Sequence, residues 1–235
     1  MGHLEDGTWE YLRDRGLWHF DPLLAERPSS HRILGRISGD LSRLWIDVPP
    51  GETKTLARSM EHRSPGDFYG RVQRGNEADA RRYGFDPEQS YAEVYDAKGR
   101  DRRVDLVDEV VASFPLDGAY WKLHRQRPGQ IWPVHVDNYH ALAEGGRQAE
   151  EWLDPGVRRL IVMLTPWSWG QAFFVGNRVW SNWEPGEILY MDWLVPHGSA
   201  NCGHDDRISL VITGFVTEEF ERWVHGDARM IAIPQ

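Results

Sequence analysis

From Leu116 to Thr217 the chain reads as short apolar or alternating runs, each closed by Gly, Pro, Asn or Asp. No other feature limits the fold as strongly, because this is the pattern of successive antiparallel strands. The runs are GAYWKLHRQ, QIWPVHVDN, RRLIVMLTPW, QAFFVG, RVWSNW, EILYMDW, a short GSANC and RISLVITGFV. Gly176 and Asn177, between FFV and RVW, suit a tight hairpin turn. Eight such strands predict a mostly β fold, a double-sheet jelly roll over residues 116–217.

Residues 1–115 form a mixed flank ahead of it. TWEYLRDRGL (8–17), NEADARRYGF (76–85) and VDLVDEVVASF (104–114) carry helical start signals or spacing, and RILGRISGDLSRLWIDVPP between them suits short strands. With 40% hydrophobic and 12% aromatic residues the 235-residue chain can bury a sizeable core, so one domain over 1–235 is expected. Most of the twelve tryptophans serve that packing. The lone Cys202 permits no internal disulfide and no cysteine zinc site, which fits a reducing cytoplasm. A net charge of -9 argues against nucleic acid as a partner, and no run approaches the ~18 apolar residues of a membrane span. Phosphate-binding glycine loops are absent, and nothing in the sequence specifies an oligomeric state.

Within WPVHVDNYH (132–140), His135 and Asp137 sit two positions apart in a strand and so project from one face. They are a metal claw or an ordinary polar surface pair. A third ligand is available in WLVPHGSANCGHDDRISLVITG: His197 follows a proline, Arg207 comes ten residues later, and Ser209 shares the face of Arg207. Arg207 itself is either a cation held in a pocket or an exposed partner of Asp205 or Asp206.

His135, Asp137 and His197, followed by Arg207-Ile208-Ser209, resemble the motif of Fe(II)/2-oxoglutarate-dependent oxygenases. The resemblance covers roughly residues 116–217 and leaves the first 115 unmatched. It implies a cupin-like double-stranded β-helix in which two imidazoles and one carboxylate hold Fe(II) by one face, leaving the opposite positions open. It further implies an enzyme that binds 2-oxoglutarate and O2 and couples decarboxylation to succinate and CO2 with hydroxylation of a small molecule. In that scheme Arg207 grips the far carboxylate of 2-oxoglutarate and Ser209 adds a hydroxyl donor. Lys122, His124 and Gln130 are the candidates for its other carboxylate. The carboxylate at position 137 separates the chain from the related radical halogenases, which have Gly or Ala there.

The connection 138–157 is long enough to serve as a lid, which makes Tyr139, His140 and Trp152 candidate substrate contacts; a surface helix packing Trp152 on the barrel is the alternative. The expected substrate is an amino acid or a specialised-metabolite intermediate, with a nucleotide-like compound also compatible with the upstream arginines. A protein side-chain hydroxylase and a metal-binding jelly-roll module without catalysis are the competing functions.

Overall fold

The run Arg207–Val216 is dominated by apolar and β-branched residues, as befits a strand covered on both sides, and all ten of its residues are buried. The computed structural model describes residues 31–45, 52–55, 90–96, 104–135, 156–176, 178–191, 197–226 and 229–234. Its strands are β1 (His31–Ser38), β2 (Glu52–Thr55), β3 (Ser90–Asp96), β4 (Leu116–Gln126), β5 (Ile131–His135), β6 (Val157–Met163), β7 (Gln171–Val175), β8 (Arg178–Trp180), β9 (Glu187–Met191), β10 (His197–Asn201), β11 (Arg207–Val216) and β12 (Arg229–Ala232). Two helices, α1 (Asp105–Ala112) and α2 (Glu218–His225), accompany them.

One sheet of eight strands runs in the order β12-β1-β9-β6-β11-β4-β3-β2, and a second of four in the order β5-β10-β7-β8. From β4 to β11 each strand crosses to the opposite sheet, except at the β7–β8 hairpin. This interleaving, with antiparallel ladders throughout the eight strands, is a double-stranded β-helix. All eight runs expected from the sequence are strands, and the hairpin turn holds Gly176 at a positive φ of 56°. The expected helix over 104–114 is α1; those over 8–17 and 76–85 lie outside the described residues. The RILGRIS segment is β1, and LSRL after it is a 3-10 turn whose first residues are capped by the Asp40 carboxylate. Parallel pairing of β12 with β1, and antiparallel pairing of β3 with β4 and of β2 with β3, widen the larger sheet at both edges.

Alternation along the strands sorts two cores. Ile208, Leu210 and Ile212 of β11, Leu160 and Val162 of β6, and Trp121 and Leu123 of β4 face outward. They meet Val107, Val110 and Val111 of α1 and Phe220, Trp223 and Val224 of α2. Trp121 anchors this layer: its ring stacks on Tyr95 at 5.5 Å and its Nε1 donates to Asp108 at 2.7 Å. The opposite face packs Ile161, Met163, Leu189, Met191 and Val211 against Phe173 and Val175 of the smaller sheet. Among the described residues no helix is long and apolar enough to cross a membrane.

The amphipathic α2 follows β11 after a single residue, and Thr217 makes that join sharp. Its hydroxyl accepts from Phe220 N at 3.0 Å and donates to Pro115 O at 2.7 Å, so it caps the helix and ties it to the segment before β4. Thr217→Ala is expected to cost ~1–2 kcal/mol of unfolding free energy. Urea titration of the two proteins measures the difference.

Candidate active site

The ladder between β5 and β10 places His135 directly opposite His197. Residues 62 positions apart in the sequence thus become cross-strand neighbours, and opposed positions of an antiparallel pair keep their Cβ atoms ~5 Å apart. The register shifts between His197 and Ser199, so the strand pair is irregular just beside the two histidines. His197 is buried, with its ring nearly parallel to that of Phe173 at 6.2 Å. Asp137 lies outside the described residues, as do Tyr139, His140 and Trp152.

Arg207 opens β11 and crosses the barrel to the smaller sheet. It is 4% exposed, and its Nη2 donates to Ser199 Oγ at 2.8 Å. Its Cζ lies 5.6 Å from the centroid of Phe173. The surface alternative for this residue is removed by its neighbours. Asp206 accepts from Arg125 Nε at 2.7 Å on the outside of the strand, and Asp205 Oδ2 accepts from Ser168 Oγ at 2.6 Å. Among the described residues Arg207 Nε and Nη1 are buried with no hydrogen-bond partner. Burial away from water pushes its pKa down to about 9.

Such a guanidinium is expensive for the fold, since a buried charge short of hydrogen bonds costs several kcal/mol. Its donors suit a carboxylate, which would accept from nitrogens that now have nothing to bond. Two strand residues, ~7 Å, separate Ser199 beside the guanidinium from His197. The described part of the site therefore brings positions 135 and 197 into one ladder, with the Arg207 guanidinium beside it and donors free for an anion. No group of three His, Cys, Asp or Glu converges among the described residues, which exclude Asp137 and the His135 side chain.

The remaining candidates divide by strand position. Ser209 is buried opposite His124 of β4 and Met163 of β6, two residues along the face from Arg207. Lys122, 2% exposed, sits opposite Val211 with its Nζ 5.9 Å from the Tyr120 ring centroid. The His124 ring stacks on Trp132 at 5.3 Å. Lys122, His124 and Ser209 thus share the face of Arg207, as the alternation requires. Gln130 does not join them: its Oε1 accepts from Arg127 N at 2.7 Å in the turn between β4 and β5, and its backbone pairs with Asn201 at the end of β10 remote from His197. Physical distance along the strand separates it from the histidines.

Arg159 was not among the sequence candidates. It is buried opposite Thr213 and Met191, and its Nε donates to Thr213 Oγ1 at 3.1 Å. The signal was present in VRRLIVM, where alternation with Ile161 and Met163 turns the second arginine inward. A polar plug closes the end of the barrel beyond Arg207. Asn201 Nδ2 donates to Gln126 O and Asp205 O, both at 2.8 Å, and Gln171 Nε2 donates to Asp205 O at 2.9 Å.

No family model matches the chain, and no curated protein matches it. Among solved structures it is similar to a predicted oxalate decarboxylase from Thermotoga maritima, at 12% identity over 53% of this chain and 81% of that one, TM-score 0.33. A Cupin 2 conserved barrel domain protein from Salinispora arenicola is 9% identical over 56% of this chain and 82% of that one, TM-score 0.31. The chain spans about half, 51%, of a putative sugar phosphate isomerase from Acidithiobacillus ferrooxidans, at 15% identity over 42% of its own length and a TM-score of 0.29. The fold class rests on the strand order described above: a cupin-type double-stranded β-helix, mostly β, with two flanking helices among the described residues.

Replacing Arg207 by methionine is expected to stabilise the protein at neutral pH, by a few kcal/mol at most. The folded-state pKa lies below the ordinary value, so the charged form is penalised fully below pH ~9 and the penalty fades as pH rises from there towards the ordinary guanidinium range. Urea unfolding of Arg207→Met and the parent at pH 7 and pH 10.5 is expected to show the larger gap at pH 7. A parent more stable than the variant at pH 7 would mean that the guanidinium is fully compensated inside the fold.

Proposed function

We propose that this chain is an Fe(II)/2-oxoglutarate-dependent oxygenase that hydroxylates an unactivated C–H bond of a small molecule. One observation carries the reading: a buried guanidinium with two nitrogens lacking hydrogen-bond partners among the described residues bonds to Ser199, two strand positions from a histidine whose ladder partner is a second histidine. A metal without a diacid leaves Arg207 unexplained, and a diacid without a metal leaves the opposed histidines unexplained. Together they match the resemblance carried by His135, Asp137, His197, Arg207 and Ser209.

In this reading His135, Asp137 and His197 hold the iron, and two neutral imidazoles with one carboxylate leave room on it for cosubstrate. Bound iron supplies the redox chemistry that activates dioxygen as 2-oxoglutarate is decarboxylated to succinate and carbon dioxide. The chain's own part is positional. Arg207 pairs with the far carboxylate and regains the proton affinity that burial took from it, while Ser209 offers a hydroxyl on the same face. Lys122 and His124, further along that face, are the candidates for the cosubstrate's other carboxylate. The apolar inner core of Ile161, Met163, Leu189 and Val211 keeps water from the reacting centre. Tyr139, His140 and Trp152, outside the described residues, stay the candidate contacts for a substrate of amino-acid or metabolite size.

Anaerobic titration with Fe(II) and 2-oxoglutarate, followed by succinate detection on admitting air, tests the proposal. His197→Ala and Asp137→Ala are expected to lose Fe(II) retention and turnover. Arg207→Gln is expected to raise the 2-oxoglutarate requirement ~100-fold or more while the iron requirement moves little, as befits loss of a charge-assisted pair. Normal turnover in a folded His197→Ala protein would end the oxygenase reading. Iron binding with no 2-oxoglutarate binding would favour a metal-binding module without catalysis.

A further inference from the structure

Phe173 belongs to the inner apolar core, at the point where that core meets His197, Ser199 and Arg207. It lies on β7, 6% exposed, opposite Ser199 of β10 in the ladder. Its ring is nearly parallel to the His197 imidazole, at 14° and 6.2 Å between centroids. The Arg207 guanidinium carbon is 5.6 Å from the same centroid. Trp180 of β8 meets the ring edge-on at 6.2 Å and 77°. One benzene ring therefore touches the histidine, the arginine and the outer edge of the smaller sheet.

The mechanical need for it follows from the rest of Arg207's contacts. The residue is rooted in the larger sheet, and among its side-chain hydrogen bonds only the one to Ser199 Oγ is made. A single hydrogen bond lets a planar group pivot. An aromatic face in van der Waals reach removes that freedom, and in a dry interior it also attracts the cation. The same ring limits the tilt of the imidazole it lies against.

We infer that Phe173 is a positioning residue, holding the Arg207 guanidinium and the His197 imidazole at the separation that a metal-chelated diacid must span. This rests on the oxygenase reading above. It adds a residue that neither coordinates nor hydrogen-bonds, and whose effect passes through Arg207 and His197. Trp180, partly exposed on the edge strand β8, serves as the outer stop for the ring.

The test uses the full chain loaded anaerobically with Fe(II) and titrated with 2-oxoglutarate, reading the visible charge-transfer band for both affinity and band position. Phe173→Leu is expected to weaken 2-oxoglutarate binding roughly tenfold and to shift the band, and Phe173→Tyr to restore both to within about twofold of the parent. Trp180→Leu, which leaves Phe173 in place and alters only its edge contact, is expected to give a smaller loss of the same sign. That variant decides the matter if circular dichroism shows that Phe173→Leu is unfolded. Unchanged affinity and band in the folded leucine variants, or an equal loss in Phe173→Leu and Phe173→Tyr, would overturn the inference with the oxygenase reading intact. A parent protein that gives no band with Fe(II) and 2-oxoglutarate would instead remove the oxygenase reading itself.

Discussion

Everything in this molecule is arranged around β11, the strand whose two faces both lie in the dark. Its even-numbered residues Ile208, Leu210 and Ile212 form the outer core with α1 and α2. Its odd-numbered residues Arg207, Ser209, Val211 and Thr213 line the interior between the sheets. Because side chains alternate with period 2, one sequence serves two environments at once. A one-residue slip against β4 or β6 would drive Arg207 into the helical layer and Ile208 into the barrel. The nine- and seven-pair ladders that flank β11 hold it against such a slip.

That registration makes the buried cation affordable. Arg207 reaches the opposite sheet at Ser199 and Phe173, so the guanidinium is clasped from the far side of the barrel by one hydroxyl and one ring. Two of its nitrogens remain without hydrogen-bond partners, and its pKa falls towards 9 under the cost of lost hydration. A fold keeps such a group where a ligand supplies the missing acceptors, and binding then regains the free energy that folding gave up. Gln126, Gln171 and Asn201 behind it form a polar cluster whose side chains donate to backbone carbonyls.

Legibility in the sequence followed the strength of the local pattern. Eight strands between Leu116 and Val216 were readable because each carries its own alternation and its own breaker. Helix α1 was readable from its apolar spacing. Edge strands β2 and β12 were not, since short edge strands are defined by the neighbour they pair with, and β3 between β4 and β2 was not read either. Of the site, His197, Arg207 and Ser209 stood out by spacing, whereas Gln130 was a candidate only by its place in AYWKLHRQRPGQIW, and its Oε1 accepts from Arg127 N in a turn. Arg159 went unremarked because two adjacent arginines read as surface charge until the burial of β6 is known.

The sequence alone thus determined the alternation of each strand, the turn residues between strands, and the order in which two histidines, an acid and an arginine occur. Local stereochemistry carries those facts, and it acts within a few residues. Tertiary structure alone decided that position 135 lies opposite position 197, that Asp205 and Asp206 are taken by other partners, and that Phe173 neighbours both the cation and the imidazole. These are relations between distant segments. They exist only once two sheets close on one another and expel the water that would otherwise have screened and solvated the charge on Arg207.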